Sequence, residues 1–247
     1  MADIGRATLV LDAIAESQES LTLTELATRT GLPRSTVHRI ARSLENELFV
    51  VRGQGRPGYA LGPGLLKFGM NAHLRLLSTN RPQMVRVARA VNENVELAVF
   101  SGREVVVVDQ LASPERLRGV TKVGKSFSLH ASCIGMALLA HLPAKQVDDL
   151  MSLPLRQFTA NTVTDLEELE RRLVDIRRTH IAVDVEEHDL GICAVGTGFI
   201  GPTGALQAVS VVMPTTRFAQ KRAHAIEELQ RINPAVHVSS IEDVAPY

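Results

Sequence analysis

Three groups of side chains in this 247-residue chain have the types and spacings to do chemistry. The first is a run of guanidinium, hydroxyl and imidazole groups: Arg34, Ser35, Thr36, His38, Arg39 and Arg42. An arginine can bridge two acceptors on a guanine edge, and serine or threonine hydroxyls suit phosphate oxygens or bases. The second is His130 with Cys133, a thiol that a neighbouring base could turn into a nucleophile. The third is Asp184, Glu186, Glu187 and His188, whose carboxylates and imidazole could hold a divalent ion. No oxyanion-hole pattern accompanies the second group, and no further cluster at ligand spacing supports the third. A small buried thiol and a solvated or ligand-bonding loop are the plainer readings of those two.

The element that must position the first group is legible in residues 22–52, TLTELATRTGLPRSTVHRIARSLENELFVVR. Thr22 and Glu25 form a T-x-x-E capping box, with Leu21 and Leu26 as the staple around it. A helix is expected from about Leu23 to a stop at Gly31. Pro33 suits the first turn of a second helix, Arg34 to Asn46, in which Val37, Ile40, Ala41 and Leu44 repeat at three and four residues. Ala27 supplies the small residue where the two helices cross. The polar side chains are left facing outward, as in a helix-turn-helix that reads the major groove.

Phe49 to Arg52, a loop at 53–58 and Tyr59 to Leu61 then read as a wing. Between Arg29 and Arg56 six Arg stand against Glu45 and Glu47, a local charge of about +4 in a chain of formal net charge +0. The candidate contacts to double-stranded DNA are Thr22, Arg34, Ser35, Thr36, His38, Arg39, Arg42, Arg52 and Arg56. An ordinary helical hairpin with a solvated face is the competing reading, and the local charge and the wing weigh against it.

An apolar fraction of 45% supports a proper core. Only Cys133 and Cys193 occur, in no CxxC or Cys/His ligand spacing, so neither structural zinc nor a cofactor is expected. No apolar run approaches the roughly 20 residues of a membrane span. The N-terminus lacks the basic start of a secretory signal, and a cytoplasmic protein with no membrane partner is expected.

Residues 7–16 read as a first helix, and Gly62-Pro63-Gly64 breaks the chain after the wing. A helix from Leu65 to Thr79 carries Leu65, Phe68, Met70, Leu74 and Leu77, apolar residues that call for a second subunit. Arg81-Pro82 opens a different composition, with a helix through Met84, Val87 and Val91. Val95 to Phe100 and Val105 to Leu111 form a hairpin about Ser101-Gly102-Arg103. A strand is expected at Val120 to Val123, a helix at 131–141, and another helix opened by a Thr164/Glu167 capping box. A hairpin of 191–200 with 205–213 and a final helix at 217–232 complete the pattern. The fold class is α+β: a winged helix-turn-helix at 1–62, a linker helix at 63–79 and a domain on an antiparallel sheet at 80–247. The helix start at 131–134 offers free N–H groups to an effector carboxylate, or Ser132 merely caps it. With no Trp and two Tyr, a pocket there cannot be an aromatic cage and should be lined mainly by Leu129, Ile134, Val212 and Phe127.

Three stretches carry a family pattern. They are GLPRSTVHRI with the later YALGP, LHASCIGMALLA at 129–140, and AVDVEEHDLGICAVG at 182–196. The chain resembles the IclR-type (isocitrate lyase regulator) family of bacterial transcription factors over nearly its whole length. The resemblance implies an N-terminal operator-binding domain and a GAF-like C-terminal α/β domain that holds a small organic acid. It also implies a homodimer or a dimer of dimers. Carried over residue by residue, the effector site falls on Leu129, Cys133, Ile134, Asp184, Cys193, Ser210 and Val212. Departures occur at Met136, at Thr179 to Ala182, and before Cys193, where one residue is missing from the usual spacing. The expected function is a ligand-controlled transcriptional regulator, read as a repressor and not as an enzyme. An enzyme using His130 and Cys133 and a constitutive architectural DNA binder are the alternatives.

Overall fold

The computed structural model describes residues 3–53, 55–119, 121–152 and 154–233. The chain divides into two compact units between Leu76 and Leu77. The first contains α1 (Asp3–Ala15), α2 (Leu23–Thr30), α3 (Arg34–Asn46), β1 (Val50–Arg52) and β2 (Tyr59–Leu61). Helix α1 starts at Asp3 and not at residue 7, because its first turn is solvated: Ile4 is exposed and contributes nothing to an apolar stripe.

Thr22 caps α2 as expected. Its side chain accepts from the Glu25 N–H, and Glu25 Oε2 accepts from the Thr22 N–H at 2.8 Å. The helix ends at Gly31, whose φ of 67° is open to glycine and costly for a residue with a Cβ. Pro33, with ψ at 139°, is the N-cap of α3 and stands one position outside its first turn. Val10, Ile14, Leu26, Val37, Ile40 and Leu44 close one core with Val50 and Tyr59. Strands β1 and β2 pair antiparallel as a wing, Val50 opposite Leu61 and Arg52 opposite Tyr59. Gln54, in the expected wing loop, lies outside the described residues.

A single-turn 3-10 segment, Pro63–Leu65, leads into α4 (Leu66–Val91). The two helices expected on either side of Arg81-Pro82 are one. Pro82 forfeits the hydrogen bond its N–H would make one turn back. Tertiary contacts outweigh that loss: Asn80 Nδ2 donates to Gln207 Oε1 at 2.8 Å, and Met84 and Val87 are fully buried.

The second unit is built on β3 (Asn94–Phe100), β4 (Val105–Leu111), β5 (Ser126–Phe127), β6 (Ala182–Val185), β7 (Ile192–Ile200) and β8 (Leu206–Pro214). They form one sheet in the order β5-β4-β3-β8-β7-β6, with every neighbouring pair antiparallel. Helices α5 (Cys133–Leu139), α6 (Ala144–Met151) and α7 (Leu166–Thr179) pack on one face, around a core that includes Ala98, Ala194, Ala208 and Val212. Helix α8 (Thr215–Gln230) packs on β7 and β8 from the other side.

Several boundaries differ from expectation. Val120 lies outside the described residues, and 121–123 is not strand. The edge strand falls later, at Ser126–Phe127, after a turn closed by Lys125 N–H to Lys122 O at 3.0 Å. Asp165, not Thr164, caps α7, accepting from the Glu168 N–H at 2.9 Å. Strand β6 and helix α6 were not expected, since each is short and interrupted by acids.

Candidate functional site

On α3 the buried stripe is Val37, Ile40, Ala41 and Leu44, so 3.6-residue periodicity turns Arg34, Ser35, His38, Arg39 and Arg42 into solvent. Thr36 is half-buried at the edge of that face. Among the described residues the Arg39 side chain meets the exposed Asp3 carboxylate, at 3.6 Å. The remaining candidates are already engaged. The Thr22 hydroxyl belongs to the capping box, while Arg52 donates to Glu45 at 2.9 Å and lies 4.3 Å over the Tyr59 ring. Arg56 reaches both Glu19 and Glu25. Those acids bring the wing charge close to neutrality, so the cationic face is concentrated on α3.

In the second unit a cleft of about 540 Å³, counted to its open mouth, lies between the sheet and α5. The antiparallel register fixes its floor. Asn94, Val212, Ala194 and Asp184 are cross-strand neighbours on four adjacent strands, and Glu96, Ser210 and Gly196 form the next row. Two buried acids therefore flank small and apolar residues from strands about 14 Å apart. Cys133 and Ile134 close the cleft from α5, while Phe127, Lys125, His188 and Asp189 stand around its sides. Phe127 and His188 rings lie 4.8 Å apart, and His188 stacks on Phe158 at 4.6 Å. The expected aliphatic lining thus has an aromatic side. Helix α5 can approach because residue 135 is glycine: a Cβ there would fall 2.4 Å from the Leu129 carbonyl oxygen.

Burial sets the electrostatics. It pushes the Asp184 carboxyl up to about 7, with repulsion from Glu187 and Asp189 adding to the shift and the Glu187 N–H opposing it. Glu96 is also raised by burial, against hydrogen bonds from Thr121 and Gln110 and the charge of Lys125. The Ser210 hydroxyl, 1% exposed, has no hydrogen-bond partner among the described residues. Arg172 Nη1 holds Glu187 at 2.8 Å in a buried pair, and its Nε reaches Glu168 at 3.3 Å.

The structure brings Cys133, Ile134, Asp184, Ser210 and Val212 into the cleft lining. Leu129 and Cys193 are outside it. Leu129 is packed in the core beneath α5, and strand alternation turns Cys193 away from the face that Ala194 presents. Cys193 Sγ lies 3.4 Å from Thr215 Oγ1 instead. Glu96, Thr121, Lys125 and His188 also line the cleft. Of these, Glu96 carried a signal, a lone acid inside the apolar run VELAVF.

The two other chemistries weighed at the outset do not assemble. Cys133 Sγ donates to the Ala182 carbonyl at 3.3 Å, and burial pushes its thiol well above the ordinary range. The His130 ring bonds Ser128 Oγ and the Arg156 carbonyl, at 2.8 and 3.0 Å, and is no base for that thiol. Ser132 caps α5, accepting from the Gly135 N–H at 3.1 Å. In the acidic segment Glu187 is taken by Arg172 and His188 by Asp189 at 2.9 Å. Among the described residues no group of three His, Cys, Asp or Glu side chains is placed to hold a metal. Among them, too, no helix is long and apolar enough to cross a membrane.

Residues 4–53 match the IclR helix-turn-helix domain family, and residues 69–238 match the bacterial transcriptional regulator IclR C-terminal family. The chain is 37% identical over 220 residues to the HTH-type transcriptional regulator Rv1719 of Mycobacterium tuberculosis, spanning 89% of this chain and 85% of that one. It is 31% identical over 220 residues to the transcriptional repressor IclR of Escherichia coli K12, spanning 86% and 80%. An IclR homolog from Microbacterium hydrocarbonoxydans, crystallised in complex with 4-hydroxybenzoate, shares the fold. Its TM-score is 0.71 at 24% identity, over 98% of this chain and 99% of that one. The sequence relatives are named as regulators, not as enzymes.

Proposed function

The chain belongs to the IclR family of bacterial transcriptional regulators, and on that premise we propose that it represses from an operator read by α3, under control of a small organic acid bound in the cleft. One observation supports the effector site above the rest. A buried hydroxyl without a partner costs roughly 1–3 kcal/mol, and the Ser210 hydroxyl, in that condition, faces a cleft. A ligand oxygen placed there would remove that cost. The 4-hydroxybenzoate held by the Microbacterium homolog supports an aromatic or carboxylic acid as the class.

The exposed apolar residues Leu66, Phe68, Met70 and Leu74 at the start of α4 support a homodimer, or a dimer of dimers, as the DNA-bound form. Two copies would present two α3 helices to a palindromic site. An effector that prefers one dimer geometry would shift the population toward it and change operator affinity. A DNA target supports a cytoplasmic site of action.

A thermal-shift screen of aromatic and aliphatic carboxylates on the wild type and on Ser210→Ala tests the site, since a ligand of the native state must raise stability. A hit that weakens in Ser210→Ala and releases operator DNA in a gel-shift assay is the expected result. Intact operator binding with no hit across the panel would favour the constitutive architectural binder.

A further inference from the structure

We propose that an acid effector enters this cleft together with a proton, shared between its carboxylate and Asp184, so that its affinity falls as pH rises through neutrality. The inference rests on the acid-effector reading above and adds to it the protonation state in which the complex forms.

The argument is one of unmatched charge. Asp184 lines the cleft and is 8% exposed. Its Oδ1 accepts from the Glu187 N–H at 2.8 Å, which leaves the second oxygen for a ligand. The groups around it are mostly acidic. Glu186, Glu187, His188 and Asp189 follow it in the chain; Glu96 comes from β3, the Cys133 thiol from α5 and the Cys193 thiol from β7. The cations are Arg172 of α7 and Lys125. Arg172 is committed to Glu187 and Glu168, and the exposed Lys125 ammonium sits 4.3 Å over the Phe127 ring. No uncommitted buried cation remains among the described residues of the lining to balance a second carboxylate. Two carboxylates in one low-dielectric site cannot both stay ionised, and such a pair holds one proton between them. Asp184 needs little to accept it, because burial already raises its carboxyl toward neutrality. Glu96 is the weaker candidate, since Gln110 and Lys125 support its charge.

Benzoate binding is measured by titration calorimetry at pH 5.5 and pH 8.5, in two buffers of different ionisation enthalpy. Wild type should bind with proton uptake near zero at the lower pH and approaching one at the higher. Its affinity should fall roughly tenfold for each pH unit above about 7. Asp184→Asn keeps the acceptor for the Glu187 N–H and cannot titrate. It should bind with no uptake and equally at both pH values. Binding by wild type without uptake at pH 8.5 overturns the proposal. So does a pH dependence that survives in Asp184→Asn and vanishes in His188→Gln or Glu96→Gln. Failure of wild type to bind benzoate or any other acid of the carboxylate panel at pH 5.5 overturns instead the acid-effector reading, and the proposal with it, so the two failures are told apart.

Discussion

Helix α3 takes all its candidate DNA contacts from thirteen consecutive residues and holds all but the half-buried Thr36 in solvent, whereas the cleft draws its lining from five strands, α5 and two loops and buries most of it. Exposed charges on a helix keep their hydration until a partner arrives, so the scaffold needs only to point them. Buried ones must be compensated by the fold itself, and around Asp184 compensation is incomplete. The proposed DNA face should therefore tolerate substitution thermodynamically and fail in affinity. The cleft region responds first in stability and in pH dependence.

The largest expected effect tests that contrast where compensation is complete. Arg172→Met leaves Glu187 buried without its cation and should cost about 3–5 kcal/mol, read as a shift in denaturant midpoint. A loss under 1 kcal/mol would mean that the Arg172–Glu187 pair does not support the buried Glu187 carboxylate. Asp184→Asn works in the opposite direction. The folded carboxyl titrates near 7, above its unfolded value of about 4, so the wild type loses stability as pH rises between those values. The amide escapes that loss, and at pH 8.5 the variant should be about 4 kcal/mol more stable than wild type, with the gain shrinking at pH 5.

Arg39→Ala should weaken operator binding by about 1–3 kcal/mol, measured by gel shift at fixed salt, while its stability stays within about 0.5 kcal/mol. Unchanged operator affinity would remove Arg39 from the DNA face. Thr22→Ala should cost about 1 kcal/mol through loss of the α2 cap. If it instead lowered DNA affinity at unchanged stability, the hydroxyl would be a DNA contact after all and the two roles would have to be exchanged.

Local rules explain which parts of the fold were legible. The capping box of α2, the stop at Gly31 and the stripe of α3 each depend on residues within one or two turns, and all three stand where the sequence places them. Pro82 misled because a local penalty was outweighed by Asn80, Met84 and Val87 packing on distant elements. The lining of the cleft was legible through the family pattern more than through periodicity. Even then Cys193 falls on the reverse of β7, because adjacent strand residues face opposite sides. Lys125 gave no sign of entering the cleft, since it lies in no patterned segment that predicts its neighbours, and His188 stood out in the acidic stretch only as a candidate metal ligand.

The sequence by itself determined the two-domain regulator, the amphipathic α3 and the basic residues it exposes, because a helix places side chains by a period that any reader can count. Only the tertiary structure decided that Arg52 and Arg56 are matched by Glu45, Glu19 and Glu25. It alone decided, too, that Glu96 and Asp184 flank one floor with the Ser210 hydroxyl among them. Strand order and register set those distances, and neither is encoded within any single stretch of chain.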